Sequence, residues 1–174
     1  TFPDDSTFDY GVTVTIGLWF QFDEPGTFQA MFEGDFYDMV LIGRGPPDYG
    51  PWHALRVHPN TGAPGGSSWG GSGNFIEADA EGINVFDGRP HHLVYQRNGT
   101  SGFAYLDGEL VATDTNGSAT AVADPIYESY GLSPAFGDGQ AQTPVYRISD
   151  VMIWKNDLLS SSEITSMYER MRDG

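Results

Sequence analysis

Residues 12 to 22, VTVTIGLWFQF, alternate strictly: Val12, Val14, Ile16, Leu18, Phe20 and Phe22 form one set, and Thr13, Thr15, Trp19 and Gln21 belong to the other. A period of two puts these sets on opposite faces of a pleated strand, so the segment predicts a long strand with one face buried. Shorter β-rich runs follow at 27–33, 37–43, 53–57, 74–78, 91–97, 102–107, 109–114 and 145–154, and Gly, Pro, Asn or Asp punctuates nearly every gap. Connections this short cannot make parallel crossovers. The pattern therefore predicts an all-β fold of antiparallel strands in two stacked sheets.

Around residues 97–111, RNGTSGFAYLDGELV, the dipeptides Asn98-Gly99 and Asp107-Gly108 flank alternating aromatic and small residues. Both dipeptides tolerate positive φ at the centre of a tight turn, so three strands running back and forth are expected here. Asp107 is expected to be structural, its carboxylate satisfying the turn's own backbone.

One helix is expected, at the end, in LSSSEITSMYERMRDG. Ser160 and Glu163 have capping-box spacing, and Ile164, Met167, Tyr168 and Met171 recur as an apolar stripe that would dock a short amphipathic helix on the sandwich. Arg170 and Arg172 lie where the helix dipole favours cations. The longest irregular stretch runs from Gly45 to Asn74, broken only by HALRV. Loops of that length inside a domain are usually functional or mobile. No internal repeat and no linker divides residues 1–174, so a single domain is expected.

Composition narrows the partners. The chain of 174 residues carries 8 Lys plus Arg against 24 Asp plus Glu, a formal net charge of -16. Such a surface repels nucleic acid phosphates and anionic membranes. No run approaches the roughly 20 apolar residues that cross a bilayer, and the start, TFPDDSTFDYG, lacks the layout of a signal peptide. A chain beginning without Met is expected to be processed or cut from something longer. Asp predominates over Glu and Lys155 is the only lysine, a balance that suits a saline setting and equally a marine, viral or calcium-binding extracellular protein. The absence of cysteine removes disulfides and thiolate metal sites.

Three ordered stretches carry a resemblance: VTIGLWFQF, then RPHHLVYQRNGTSGFAYLDGELV, then YRISDVMIWKNDLLSSSEITSMY. With Trp19 near a strand end, His91 to Val94, the Tyr105 to Gly108 hairpin, Ile148 to Val151 and Leu159 to Ile164, the chain resembles the laminin-G-like, or concanavalin A-like, jelly-roll superfamily. The resemblance implies a jelly-roll sandwich over about residues 10–170. It also implies one structural Ca²⁺ held by Asp150 with oxygens from the N-terminal segment, where Asp4, Asp5 and Asp9 are candidates; Ca²⁺ wants six to eight hard oxygen ligands. Pro90 and Ser149 depart from the family pattern, in place of a Trp and the first acid of an Asp-Asp pair. Many relatives also have a strand before the one bearing Trp19; either it is degenerate here or Thr1 to Tyr10 supplies it in altered form.

The chemistry-bearing residues favour binding over catalysis. Asp48, Tyr49, Trp52, His53, Trp69 and Asn74 combine aromatic rings with polar partners in the long Gly/Pro-rich region, a combination suited to a glycan; the bland reading has the Trp rings covering the open edge of the sandwich. Glu33 to Asp38, EGDFYD, superficially resembles the Glu-x-Asp-x-x-Glu strand of retaining glucanases, but Gly34 interrupts it and the last acid is shortened, so a hairpin corner is expected. His91 and His92 are adjacent on a strand and point to opposite faces, so they share no site, and one is expected to be packed and hydrogen-bonded. Asn98-Gly-Thr100 and Asn116-Gly-Ser118 are glycosylation sequons. The expected function is a non-catalytic recognition or adhesion module outside the cell, binding glycan; the alternatives are an assembly subunit of a virion or cell-surface layer that binds neighbouring copies as a homo-oligomer, and, more remotely, a glycosidase or polysaccharide lyase.

Overall fold

The structure, a computed structural model, describes residues 12–23, 39–44, 52–58, 61–69, 75–115, 117, 130–133 and 146–173. Among these residues the elements are β1 (Thr13–Phe22), β2 (Met39–Arg44), β3 (Trp52–Val57), β4 (Pro64–Trp69), β5 (Phe75–Asp79), β6 (His91–Asn98), β7 (Ser101–Leu106), β8 (Glu109–Asp114), β9 (Tyr130–Ser133), β10 (Tyr146–Lys155) and α1 (Ser161–Asp173). They form two five-stranded sheets, ordered β10-β1-β6-β7-β8 and β5-β4-β3-β2-β9. Every pairing is antiparallel. The protein is thus a two-sheet β-sandwich of jelly-roll type with one C-terminal helix.

The alternation of β1 decides how the sheets stack. Val14, Ile16, Leu18, Phe20 and Phe22 are all buried in one cluster with Leu55, Val57, Ala78, Leu93, Tyr95 and Leu106. Tyr95 reaches across the sandwich, its hydroxyl 3.0 Å from Ser68 Oγ, and burial drives the phenol pKa far up. Gly66 lies beneath that ring, where a Cβ would collide with it.

The opposite face of the first sheet is covered by α1. Ile164 and Met167 bury against Val94 and Tyr105, with Met152, Trp154 and Met171 alongside. The capping box forms as expected, with Ser160 N–H donating to Glu163 Oε2 at 2.8 Å and Glu163 N–H returning to Ser160 Oγ at 3.3 Å. Thr165 Oγ1 donates to Gly108 O at 2.8 Å, so the helix rests on the β7–β8 turn. Gly108 has φ 85° and would, with a Cβ, press on the backbone of Thr165. An Asp-Gly turn is needed here for its left-handed backbone and for the room it leaves the helix.

Three expectations need correction. The stretch from Gly45 to Asn74 is more ordered than its composition implied: it contains the whole of β4, whose small residues Gly65, Gly66, Ser67 and Ser68 hide a strand that a propensity reading passes over. β9 was not anticipated either. Asp107 does not serve its own turn: Oδ1 accepts the His92 N–H at 2.8 Å and Oδ2 meets His91 Nδ1 at 2.8 Å, tying the turn to β6. The expected run at 27–33, EGDFYD and the start of the chain lie outside the described residues.

Candidate functional site

On β3, His53, Leu55 and Val57 point into the sandwich, so Ala54 and Arg56 take the outer face of the second sheet. The register carries that face across three strands. Arg56 pairs with Gly65 and Gly65 with Asp79; Ala54 pairs with Ser67 and Ser67 with Glu77; Trp52 pairs with Trp69 and Trp69 with Phe75. The last row brings three aromatic residues into backbone register at one end of the sheet, one step from the charged rows.

Arg56 organises the charged rows. Its Nη2 lies 2.6 Å from Asp79 Oδ2 and also ion-pairs with Glu77 Oε1, while Nε donates to Asp79 Oδ1 at 3.3 Å. The guanidinium side is only 6% exposed, whereas the Glu77 and Asp79 side chains keep 38% and 24% of their surface. A buried cation thus braces two carboxylates whose outer edges reach water. Gly65 makes this geometry feasible, because a Cβ there would run into the Asp79 carboxylate and the Ala78 carbonyl. Fixed carboxylate acceptors that reach water can take hydroxyl donors from a ligand.

The sequence-derived candidates divide. Trp52 and Trp69 are brought together, on strand ends rather than loops. His53 is not with them on the outer face: it is 1% exposed, and its Nδ1 lies 2.7 Å from Ser68 Oγ in the interior. The reason is alternation, since the neighbour of an outward strand residue must point inward. Asp48, Tyr49 and Asn74 lie outside the described residues. Arg56, Glu77 and Asp79 were passed over; both strands were expected, but their register was not readable.

Asp150 lies on the other sheet, exposed, at a β-bulge of β10 with φ 52°. Asp4, Asp5 and Asp9 lie outside the described residues, and among the described residues no group of three His, Asp or Glu side chains is placed to hold a metal. A separate polar cluster joins Asp87, His91 and Asp107: His91 Nε2 is 3.1 Å from Asp87 Oδ1, completing a bridge between two carboxylates. Burial alone would lower the His91 pKa, but the hydrogen bonds and charges of Asp107 and Asp87 outweigh it and raise the value. This bridge fastens the β5–β6 connection to the β7–β8 turn. Asn98 of the first sequon is exposed at the β6–β7 turn, and Asn116 of the second is outside the described residues.

No protein-family model matches the sequence, and no curated protein sequence does either. Solved structures match the fold. Domain 4 of AbnA, a GH43 extracellular arabinanase from Geobacillus stearothermophilus in complex with arabinotriose, aligns with a TM-score of 0.60 at 17% identity, over 92% of this chain and 68% of that one. The CBM40 of the Ruminococcus gnavus IT-sialidase bound to alpha2,6 sialyllactose aligns with a TM-score of 0.63 at 15% identity, over 94% and 86% of the two chains. The binding domain of botulinum neurotoxin serotype G aligns with a TM-score of 0.63 at 14% identity, over 96% of this chain and 39% of that one. At these identities the likeness is one of fold, a β-sandwich shared with carbohydrate-binding domains.

Proposed function

We propose that this protein is a non-catalytic carbohydrate-binding module of the laminin-G-like type, serving recognition or adhesion outside the cell. The observation that carries this reading is the backbone register of β3, β4 and β5, which aligns Trp52, Trp69 and Phe75 one row from Glu77 and two from Asp79, the carboxylates that Arg56 braces. Sugar hydroxyls donate to Glu77 and Asp79 while a C–H face stacks on the aromatic row. The fold likeness to domains solved with arabinotriose and sialyllactose supports the ligand class. A structural Ca²⁺ at Asp150 belongs to the same reading; it needs further oxygens from Asp4, Asp5 and Asp9, and chelation that leaves the melting temperature unchanged removes it.

A glycan array followed by calorimetry tests the proposal. Trp69→Ala and Glu77→Gln each weaken the best ligand roughly tenfold or more, as expected for losing a stacking ring or a charge-assisted hydrogen bond. Flat signals across neutral and acidic glycans, together with concentration-dependent oligomers, favour an assembly subunit instead. Hydrolysis of a bound glycan that Glu33→Gln abolishes identifies a glycosidase.

A further inference from the structure

On the far side of the molecule, an open cleft of about 530 Å³ lies between the end of α1 and the β1–β10 pair. Trp19, Gln21, Arg147, Ser149, Asp150 and Arg172 line it. Its size is that of a small-molecule site, which is about 300–1,000 Å³.

Three independent features mark it. First, β10 is bulged there: Gly17 pairs with Met152 and Trp19 with Ser149, leaving Asp150 and Val151 opposite the single residue Leu18. The bulge holds Asp150 in a left-handed backbone where it lines the cleft, and bulges recur beside functional sites.

Second, buried polar groups beside the cleft lack partners among the described residues. The indole Nε1–H of Trp19 and both ring nitrogens of His92 have no hydrogen-bond partner among the described residues. His92 is fully buried, its ring 5.3 Å from that of Trp19, with Tyr168 of α1 stacked on both. Each such group costs about 1–3 kcal/mol, a burden that a structure without a task at this place would shed.

Third, two of the chain's few cations line the cleft. The chain has 8 cationic against 24 acidic side chains, yet the cleft is lined by two guanidiniums and one carboxylate. Arg147 pairs with Asp23 at 3.1 Å and Arg172 with Asp173 at 2.8 Å. Both arginines are more than half exposed, at 70% and 51%, and surface pairs of this kind exchange partners at little cost.

We infer that this cleft is a second saccharide site, distinct from the face around Glu77 and Asp79, and that it takes an acidic sugar. A carboxylate or sulfate on the sugar meets Arg147 and Arg172, and hydroxyls meet Gln21, Ser149 and Asp150. The domain then grips a charged glycan on one sheet and a second glycan unit on the other, a bivalent arrangement that raises avidity without new contacts.

The experiment titrates the whole domain with a short uronic-acid oligosaccharide, a sulfated one and a neutral one, read by calorimetry and by the indole N–H resonance of Trp19, identified through its loss in Trp19→Phe. An acidic probe saturates and shifts that resonance. Arg147→Gln weakens the acidic probe roughly tenfold or more, leaves the melting temperature in place, and leaves the neutral glycan that binds at the aromatic row unaffected. Whichever acidic probe binds identifies the anion. Saturation by neither acidic probe, or acidic binding that survives Arg147→Gln or is lost only with Trp69→Ala, overturns this inference. In that last case the binding module proposed above still stands.

Discussion

His92→Leu probes a buried side chain with two unpaired polar atoms among the described residues. The imidazole is fully buried, both of its nitrogens lack partners among the described residues, and burial lowers its pKa to about 4, against smaller opposing effects from Asp107 and Asp150. Between that value and the ordinary imidazole pKa of about 6.5, the unfolded chain binds a proton that the native state refuses. Stability contributed at this position is therefore complete above pH 6.5 and is lost as the pH falls toward 4. Two and a half pKa units correspond to about 3.4 kcal/mol at the limit, and at pH 5 about 2 kcal/mol of it is already gone. Leu is close to imidazole in volume and has neither a proton to take up nor orphaned nitrogens. The variant is expected to be as stable as the parent or more so at pH 8, by about 1 kcal/mol, and its advantage widens by about 2 kcal/mol at pH 5. Urea unfolding of both proteins from pH 8 to pH 4.5 measures this, the difference between the curves cancelling the titration of every other shared group. A gap that stays constant across that range refutes the reasoning, because it means that the native state accepts the proton as readily as the unfolded chain.

Three further outcomes are expected. Asp107→Asn, which keeps an acceptor for the His92 N–H but removes the charge, lowers the raised pKa of His91, and the imidazole titration followed by NMR moves toward or below the ordinary value; stability supplied by this bridge is present below pH 6.5 and fades as the pH rises through the native pKa. Arg56→Ala removes the buried cation that braces Glu77 and Asp79 and costs about 3 kcal/mol in urea unfolding at pH 7. Gly66→Ala drives a methyl group into the Tyr95 ring and costs about 1–3 kcal/mol or abolishes soluble expression, read by urea midpoint and yield.

What the chain's linear order determined is the local half of the problem. Two-residue alternation in β1 predicted the core face, and Val14, Ile16, Leu18, Phe20 and Phe22 occupy it because that period is a property of the strand itself, but Val12 of the same set is exposed and Thr15 of the other set is buried. The capping box at Ser160 and the Asp107-Gly108 turn were legible for the same reason, since their partners lie within a few residues. β4 escaped because its burial comes from glycine and serine beneath Tyr95, and nothing along the chain announces that a ring will lie over them.

The tertiary structure alone decided the sites. Arg56 and Asp79 are 23 positions apart and meet because strands β3, β4 and β5 adopt one register among several that their composition allows. The same register turned His53 inward and set the backbone of Trp52 beside that of Trp69. The cleft at Trp19 needs the bulge in β10 and the end of α1 at once. Burial propensity is written residue by residue, but convergence of charge and of unsatisfied donors depends on which strands become neighbours, and that is settled only when the two sheets close on a shared core.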